Sequence, residues 1–394
     1  MKIAAIRATP VNIPLEAPYL WSYGSLAGFS KTIVEVETSD GLVGLGEGPS
    51  PANAATILNG FAPRLIGQDA FDIAACERLC LPSWRGVYTD VDFAGIRAFG
   101  AVEMALWDLR GKAAGRPLHD LFGGRVRDAV AFTDYFSFRE EKDGVGGESD
   151  PQPVLDYCLR QKERFGTTMF EGKLSTADPA PSIRTLELLR DGLGEDAILR
   201  IDSNKAYSLA TATRIARAIE PLGIRAWEDP VATFEDMAKL RRHTAIPFSV
   251  HTPDLRRAVA LGVPDAFCTD VNVHGGIGRA LKFIAACEQM GLDFWCYSGD
   301  SGIASSVYLH LAAAHDHIRE PSQSLFHMQP FDVIEEGPLR PRGNLVPVPT
   351  SPGIGVTLSQ DKLAFCHRHF VEHGPFDKFH DPDRPGVFRR LPLS

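Results

Sequence analysis

Two apolar runs in this chain each end in an acid. Ile198-Leu199-Arg200-Ile201 stops at Asp202, and Ile224-Arg225-Ala226-Trp227 stops at Glu228. Between them Leu209, Ala212, Ile215, Ala216, Ala218 and Ile219 recur at helical spacing. The pattern predicts strand, helix, strand, with a carboxylate at the carboxyl end of each strand. Apolar runs at residues 129–132, 168–173, 247–251, 266–270 and 293–297 repeat that rhythm with a helix-length segment between each, and residues 324–327 supply an inferred eighth. Such alternation predicts an α/β fold built as a barrel of parallel strands.

The chain begins differently. Residues 3–7 and 32–38 read as strands, the second alternating apolar with polar, and after the turn Ser39-Asp40-Gly41 residues 42–48 return as a hairpin partner. A helix over residues 99–112 stops at Gly115-Arg116-Pro117. These boundaries divide the chain into an α+β domain over 1–125, a barrel over 126–335, and a Pro/Gly-rich segment over 336–394 that folds back on the first domain. Residues 19–29, rich in aromatics and glycine, read as a loop, either a mobile lid over a site or a turn packed on its own rings. The polar, glycine-rich stretch 139–150 reads as an exposed loop. The run GLVGLGEG at 41–48 follows a hairpin turn and opens no helix, which argues against a dinucleotide-binding role.

Composition narrows the class. With 394 residues and 44% hydrophobic content, two domains with a large core are the natural expectation. A net charge of -9 argues against nucleic-acid or acidic-membrane partners. Seven cysteines without a CxxC pair read as reduced thiols of a cytosolic protein rather than a disulfide frame or zinc site. Neither a leader pattern nor a run of membrane-spanning length is seen, so a soluble cytoplasmic enzyme is the expectation.

In a parallel barrel the carboxyl ends of the strands point into one mouth. With the strands in register, that mouth receives Lys173, Asp202 with Asn204, Glu228, His251, Asp270 and Tyr297. Two carboxylates beside an amide make an oxygen-rich pocket suited to a hard cation such as Mg²⁺. The plainer reading is that Asp202 caps a helix and Glu228 pairs with a surface base. His274, near a turn, reads as structural.

The segments AVEMALWDLRGKAAGRPLHDLFGG, IDSN, WEDP, DVNVHGGIG and VPVPTSPGIGV, in this order and spacing, resemble the enolase superfamily. Within it the chain resembles the mandelate racemase/muconate lactonizing enzyme-like group, nearest in flavour to glucarate-type acid-sugar dehydratases. The resemblance implies a modified (β/α)8 TIM-type barrel under an α+β capping domain. It implies one Mg²⁺, a small-molecule carboxylate as partner, a homo-oligomer, and abstraction of the proton α to a carboxylate with a divalent metal stabilising the enediolate. Asp202 and Glu228 match the first two metal ligands, and His251 stands at the third, where relatives carry an acid or an Asn. Lys173 matches the base of a Lys-x-Lys pair in which Glu171 replaces the first Lys. Residues two apart on a strand face the same way, so Glu171 is expected beside Lys173, raising its pKa.

Asp270 matches the Asp of a His–Asp dyad whose His is replaced by Tyr297. A tyrosine can deliver a proton to a departing hydroxide, or act as base if its pKa is depressed, but cannot copy a His cycling near neutrality. Two-base racemisation is thereby weakened and dehydration favoured. Asn204 would hydrogen-bond the developing oxyanion. Lys205 would contact a substrate carboxylate or stay solvated, and Trp21, Tyr23 and Glu171 would contact substrate. The reading is a metal-dependent lyase on an acid sugar or hydroxy diacid. An epimerase or cycloisomerase on the same enolate and a non-catalytic binding protein are its alternatives.

Overall fold

The computed structural model describes residues 1–82, 93–174, 176–297, 299–377, 379, 381, 384 and 386–393. Strands β1 (Ile3–Trp21), β2 (Gly24–Thr38) and β3 (Val43–Gly48) form an antiparallel sheet in that order. β1 and β2 stay paired out to Trp21 opposite Gly24, with register shifts between Ile3 and Ala5 and between Pro14 and Tyr19. Residues 19–29 are therefore the end of a long hairpin and not a loop. Gly24, Ser25 and Gly28 interrupt the apolar alternation there, yet the backbone ladder needs no side chain to continue.

The long helix Phe93–Ala114 lies directly on this sheet. A Cβ added at Gly44 would meet Ala105 O at 2.1 Å, and one at Gly46 would meet Ala101 O at 2.0 Å. These glycines thus permit close helix–strand approach.

The second sheet is parallel and curls through β5 (Asp134–Phe136), β6 (Met169–Lys173), β7 (Ile198–Asp202), β8 (Ala226–Glu228), β9 (Phe248–Val250), β10 (Ala266–Thr269) and β11 (Asp293–Cys296). Helices return the chain between strands. Leu209–Ile219 is typical: it buries Ala212, Ile215, Ala216 and Ile219, and the Ser208 hydroxyl accepts from Thr211 N at its start.

Two expectations about this sheet are overturned. Ala129–Ala131 (β4) is not its first strand but pairs antiparallel with β12 (Leu345–Pro347). Residues 324–327 hold no strand, since Phe326–Met328 is a short 3-10 turn. The seam between β11 and β5 is bridged just upstream instead. Gln323 N donates to Cys296 O at 2.9 Å, Ser322 N to Ala131 O at 2.9 Å, and Thr133 N to Ser322 O at 2.8 Å. Local apolar character marks both segments as strand-like, but the ladder partners lie far away in sequence.

Residues 139–150 form the expected exposed insert, anchored at two points. Arg139 pairs with Glu148 at 2.7 Å and Glu16 at 2.6 Å, so Arg139 and Glu148, both buried, anchor the insert, while most of the rest of it is exposed. At the other end of the chain, helix Gln360–His373 lies against β1, where His367 Nδ1 meets Pro10 O at 2.7 Å. The Asp108 carboxylate accepts from Leu45 N and Ile354 N, both at 2.8 Å, joining β3 to the late Gly-Ile segment. Among the described residues no helix is long and apolar enough to cross a membrane.

Glu103 joins the cap to the barrel. Its carboxylate accepts from Ile277 N at 2.7 Å, Gly278 N at 2.9 Å and Trp107 Nε1 at 2.8 Å, so it caps helix Ile277–Met290 from another domain. Burial pushes this carboxyl up to about 7. Glu103→Gln is expected to destabilise the fold by about 1–3 kcal/mol, because an amide turns its NH₂ toward one of three buried donors. Denaturant midpoints of the two proteins, compared under mildly alkaline conditions, check this; equal midpoints would discard the cap.

Candidate active site

The register of the parallel strands sets the site. Lys173 stands opposite Asp202, and Asp202 opposite Glu228, so three consecutive strand tips carry charge at one level. Lys173 Nζ pairs with Asp202 Oδ2. Asp202 also accepts from Asn204 N at 2.7 Å and Asn204 Nδ2 at 2.8 Å. Asn204, Lys205 and Asp229 adopt positive φ of 49°, 62° and 44°, a turn geometry uncommon for residues with side chains and frequent at functional loops. His251 Nε2 lies 2.6 Å from Glu228 Oε1.

Above these tips is a cavity of about 800 Å³. Lys173, Asn204, His251, Asp270 and Tyr297 line it from the barrel, and Trp21, Lys31 and Arg97 from the cap. Asp202 and Glu228 lie just beneath the surface of its floor, buried from solvent.

Three expected substrate contacts fall outside the lining. Tyr23 turns its hydroxyl to Asn204 O at 2.9 Å, with its ring packed between Trp21 and Phe379. Lys205 donates to Thr252 Oγ1 at 2.7 Å and sits 3.7 Å from Asp229. Glu171 is sealed below the floor by Arg200 at 2.7 Å and Gln323 Nε2 at 2.9 Å.

The Arg200 pair also changes the expected electrostatics. Glu171 is neutralised by its neighbour on β7 and does not govern Lys173. Burial pushes the Lys173 ammonium down, but Asp202, aided by Glu228, outweighs it and holds it above its ordinary value. The signal for Arg200 was present in the sequence: it lies two residues before Asp202 and so faces the same interior. Gln323, which also reaches Glu228 Oε2 at 3.3 Å, had no such signal.

Tyr297 stacks edge-on against His251, ring centres 5.0 Å apart, and makes no hydrogen bond with Asp270. Asp270 instead accepts from Val273 N at 2.9 Å and caps the turn that follows. Burial holds the Tyr297 hydroxyl well above its ordinary value, so it stays protonated. His274 is pushed down to about 4 by burial and bonds Thr269 Oγ1 at 2.8 Å, a structural role. Sequence reading also missed the buried pair of Lys31 with Asp300, whose second oxygen accepts from Tyr308 OH at 2.8 Å.

The floor is suited to a cation. Asn204 Oδ1 and Asp229 Oδ1 are buried oxygens without a hydrogen-bond donor among the described residues. Unsatisfied buried oxygens beside several carboxylates fit a hard divalent ion. Glu228, His251 and Cys268 bring their ligand atoms within 4.8 Å of one another, whereas Asp202 stays with Lys173 and Asn204.

Comparison with known proteins gives consistent matches. Residues 3–123 match the profile of the mandelate racemase/muconate lactonizing enzyme N-terminal domain, and residues 154–362 that of the enolase C-terminal domain-like family. The chain is 28% identical to a protein named probable glucarate dehydratase from Streptomyces coelicolor, over 94% of this chain and 92% of that one. It is 30% identical to cis-3-hydroxy-L-proline dehydratase of Roseibium aggregatum, over 92% and 98%. A chloromuconate cycloisomerase and an N-succinyl-L-Arg/Lys racemase are also among its relatives. The crystal structure of a Pseudomonas fluorescens enolase with bound magnesium, potassium and tartrate superposes with a TM-score of 0.85 at 26% identity, covering 95% of this chain and 93% of that one.

The His251–Glu228 pair has a pH signature. Burial pushes the imidazolium down, but Glu228 outweighs it with help from Asp229 and Asp202, raising His251 from 6.5 to about 10. A cation held above its unfolded value stabilises the fold fully below that value. The contribution is therefore present below about 6.5 and lost as pH climbs through about 10. In metal-free protein, stability of the wild type should fall more steeply across that window than stability of His251→Gln. Urea titrations at several pH values measure it, and parallel curves would exclude the pair.

Proposed function

The chain belongs to the mandelate racemase/muconate lactonizing enzyme family of enolase-like proteins, and on that premise we propose that it removes the proton α to a carboxylate and dehydrates an acid sugar or hydroxy diacid to a 2-keto product. The observation that carries this reading is Lys173, Asp202 and Glu228 at one level of three adjacent strand tips, with Lys173 open to the cavity. Asp202, Glu228 and His251 would hold Mg²⁺, which when bound draws off negative charge developing on the substrate carboxylate.

Lys173 is the base. Burial already pushes its ammonium down, and Asp202 leads the opposition. When Asp202 turns away from Lys173, burial dominates and a neutral amine becomes accessible. Asn204 donates to the oxygen on which charge grows. Tyr297, kept protonated by its surroundings, delivers a proton to the departing hydroxide.

One base and one acid suffice for dehydration, whereas racemisation needs a second base that Tyr297 cannot supply near neutrality. Arg97 on the cap side favours a substrate with further anionic or hydroxyl groups. The tartrate bound by the Pseudomonas neighbour, itself a hydroxy diacid, supports that class.

The decisive experiment incubates the chain with Mg²⁺ and a panel of mono- and diacid sugars in D₂O. A 2-keto product is expected from at least one acid; no keto product and no α-proton exchange from any of them would end the proposal. Lys173→Ala should lower both exchange and product by about 10²–10⁴-fold, the range for a positioned acid–base group. Tyr297→Phe should separate the steps, cutting keto acid formation about 10²-fold while α-proton exchange persists. Loss of exchange together with product would remove Tyr297 from the acid role.

A further inference from the structure

Helix Phe93–Ala114 covers the first sheet, and its opening turns also reach the mouth of the barrel. A Cβ added at Gly100 would meet Asn272 Oδ1 at 2.8 Å, and the Asn272 amide donates to Glu47 O at 3.0 Å. The helix is thus seated on the turn that follows β10. Three residues before Gly100, and so on the same face, stands Arg97, half-buried and lining the cavity wall.

The cations around this cavity are not alike. Lys31 is paired with Asp300, Lys173 with Asp202, and His251 with Glu228. Arg97 has no carboxylate partner among the described residues, and its Nε is buried without an acceptor. The Phe93 ring faces it, with the guanidinium carbon 4.4 Å from the ring centre. Asp270, on the same wall, accepts from Val273 N at 2.9 Å and forms no ion pair with Arg97. An aromatic face holds a guanidinium in place but supplies only a small part of its counter-charge. The terminal nitrogens of a guanidinium form a planar fork that matches a carboxylate and stays charged at any working pH.

We propose that Arg97 receives the distal carboxylate of a dicarboxylic acid, so that the cavity selects a diacid over the monoacid of equal chain length. This rests on the reading that the barrel floor takes the carboxylate next to the reacting carbon, and it deepens that reading by choosing between the acid classes. With that carboxylate at the floor, the far end of the substrate lies toward the cap, where the unpaired charge stands. A terminal hydroxyl there gives the guanidinium a neutral acceptor, a weaker partner than a carboxylate.

Matched pairs of sugar acids test the subsite: aldarates of four to six carbons, each against the aldonate that differs only at the far carbon, with Mg²⁺ and the full-length chain. Affinity is read from the ligand-induced shift in thermal unfolding, and turnover as kcat/KM. At the best chain length the wild type should favour the aldarate by about 10–100-fold, the range for a hydrogen-bonded charged pair. Arg97→Met, which keeps the stem against Phe93, should weaken the aldarate by about that factor and the aldonate several-fold less. Arg97→Glu should turn the preference toward the aldonate, and it replaces the methionine variant should that one unfold. No aldarate preference at any chain length, or equal loss of both acids in Arg97→Met, overturns the proposal. Keto acid formed equally well from both acids removes the subsite and leaves the proposed reaction standing. An Arg97-dependent aldarate preference in binding, without keto acid or α-proton exchange from any acid, does the reverse.

Discussion

Glu171, Asp202 and Glu228 lie on three adjacent strands, all nearly withdrawn from water. An isolated carboxylate in such a place costs several kcal/mol, and three together repel one another besides. Each is therefore matched by a cation: Arg200 for Glu171, Lys173 for Asp202, and His251 for Glu228. Gln323 ties the first and last of these carboxylates through a single amide. Removing any one partner leaves a buried charge, so the floor of the barrel acts as a unit. The protonation of Lys173 is one consequence, since it follows what Asp202 does.

The closure of the barrel serves the same network. The segment bridging β11 to β5 also carries Gln323, so the residue that completes the seam completes the pairing. On top, the cap is joined by close backbone approaches and buried hydrogen bonds. Gly44 and Gly46 let helix Phe93–Ala114 sit on the sheet, and Glu103 and Asp108 on that helix fasten it to the barrel and the late Gly-Ile segment. The cavity therefore has a floor built by the barrel and a wall delivered by the cap, including Lys31 and Arg97.

Departures from the resembled family concentrate at three positions and act differently. Glu171 in place of a lysine is absorbed by Arg200 and leaves Lys173 nearly untouched. Tyr297 in place of a histidine changes the proton affinity at that position, because burial holds the phenol protonated. His251 in place of an oxygen ligand brings nitrogen to the floor, with Cys268 sulfur behind it. A substitution of charge was compensated within the fold; substitutions of proton affinity and donor atom were not.

Periodicity made much of this legible. The acid-tipped runs at Asp202 and Glu228, their intervening helix, and the facing of Glu171 and Lys173 follow from a two-residue repeat on strands and a 3.6-residue repeat on helices. Those repeats say which way a side chain points, not which partner it meets. Hence residues 19–29 read as a loop until a ladder continued through them, and residues 324–327 read as a strand that the seam took from Ser322 and Gln323. The Lys31–Asp300 pair spans 269 residues, and the Gln323–Glu171 contact 152. By itself the chain's order determined the elements and the face each side chain presents, because both are local properties of the backbone. Only the closed barrel decided the pairing of buried charges, because desolvation is settled by neighbours that meet after the chain has folded.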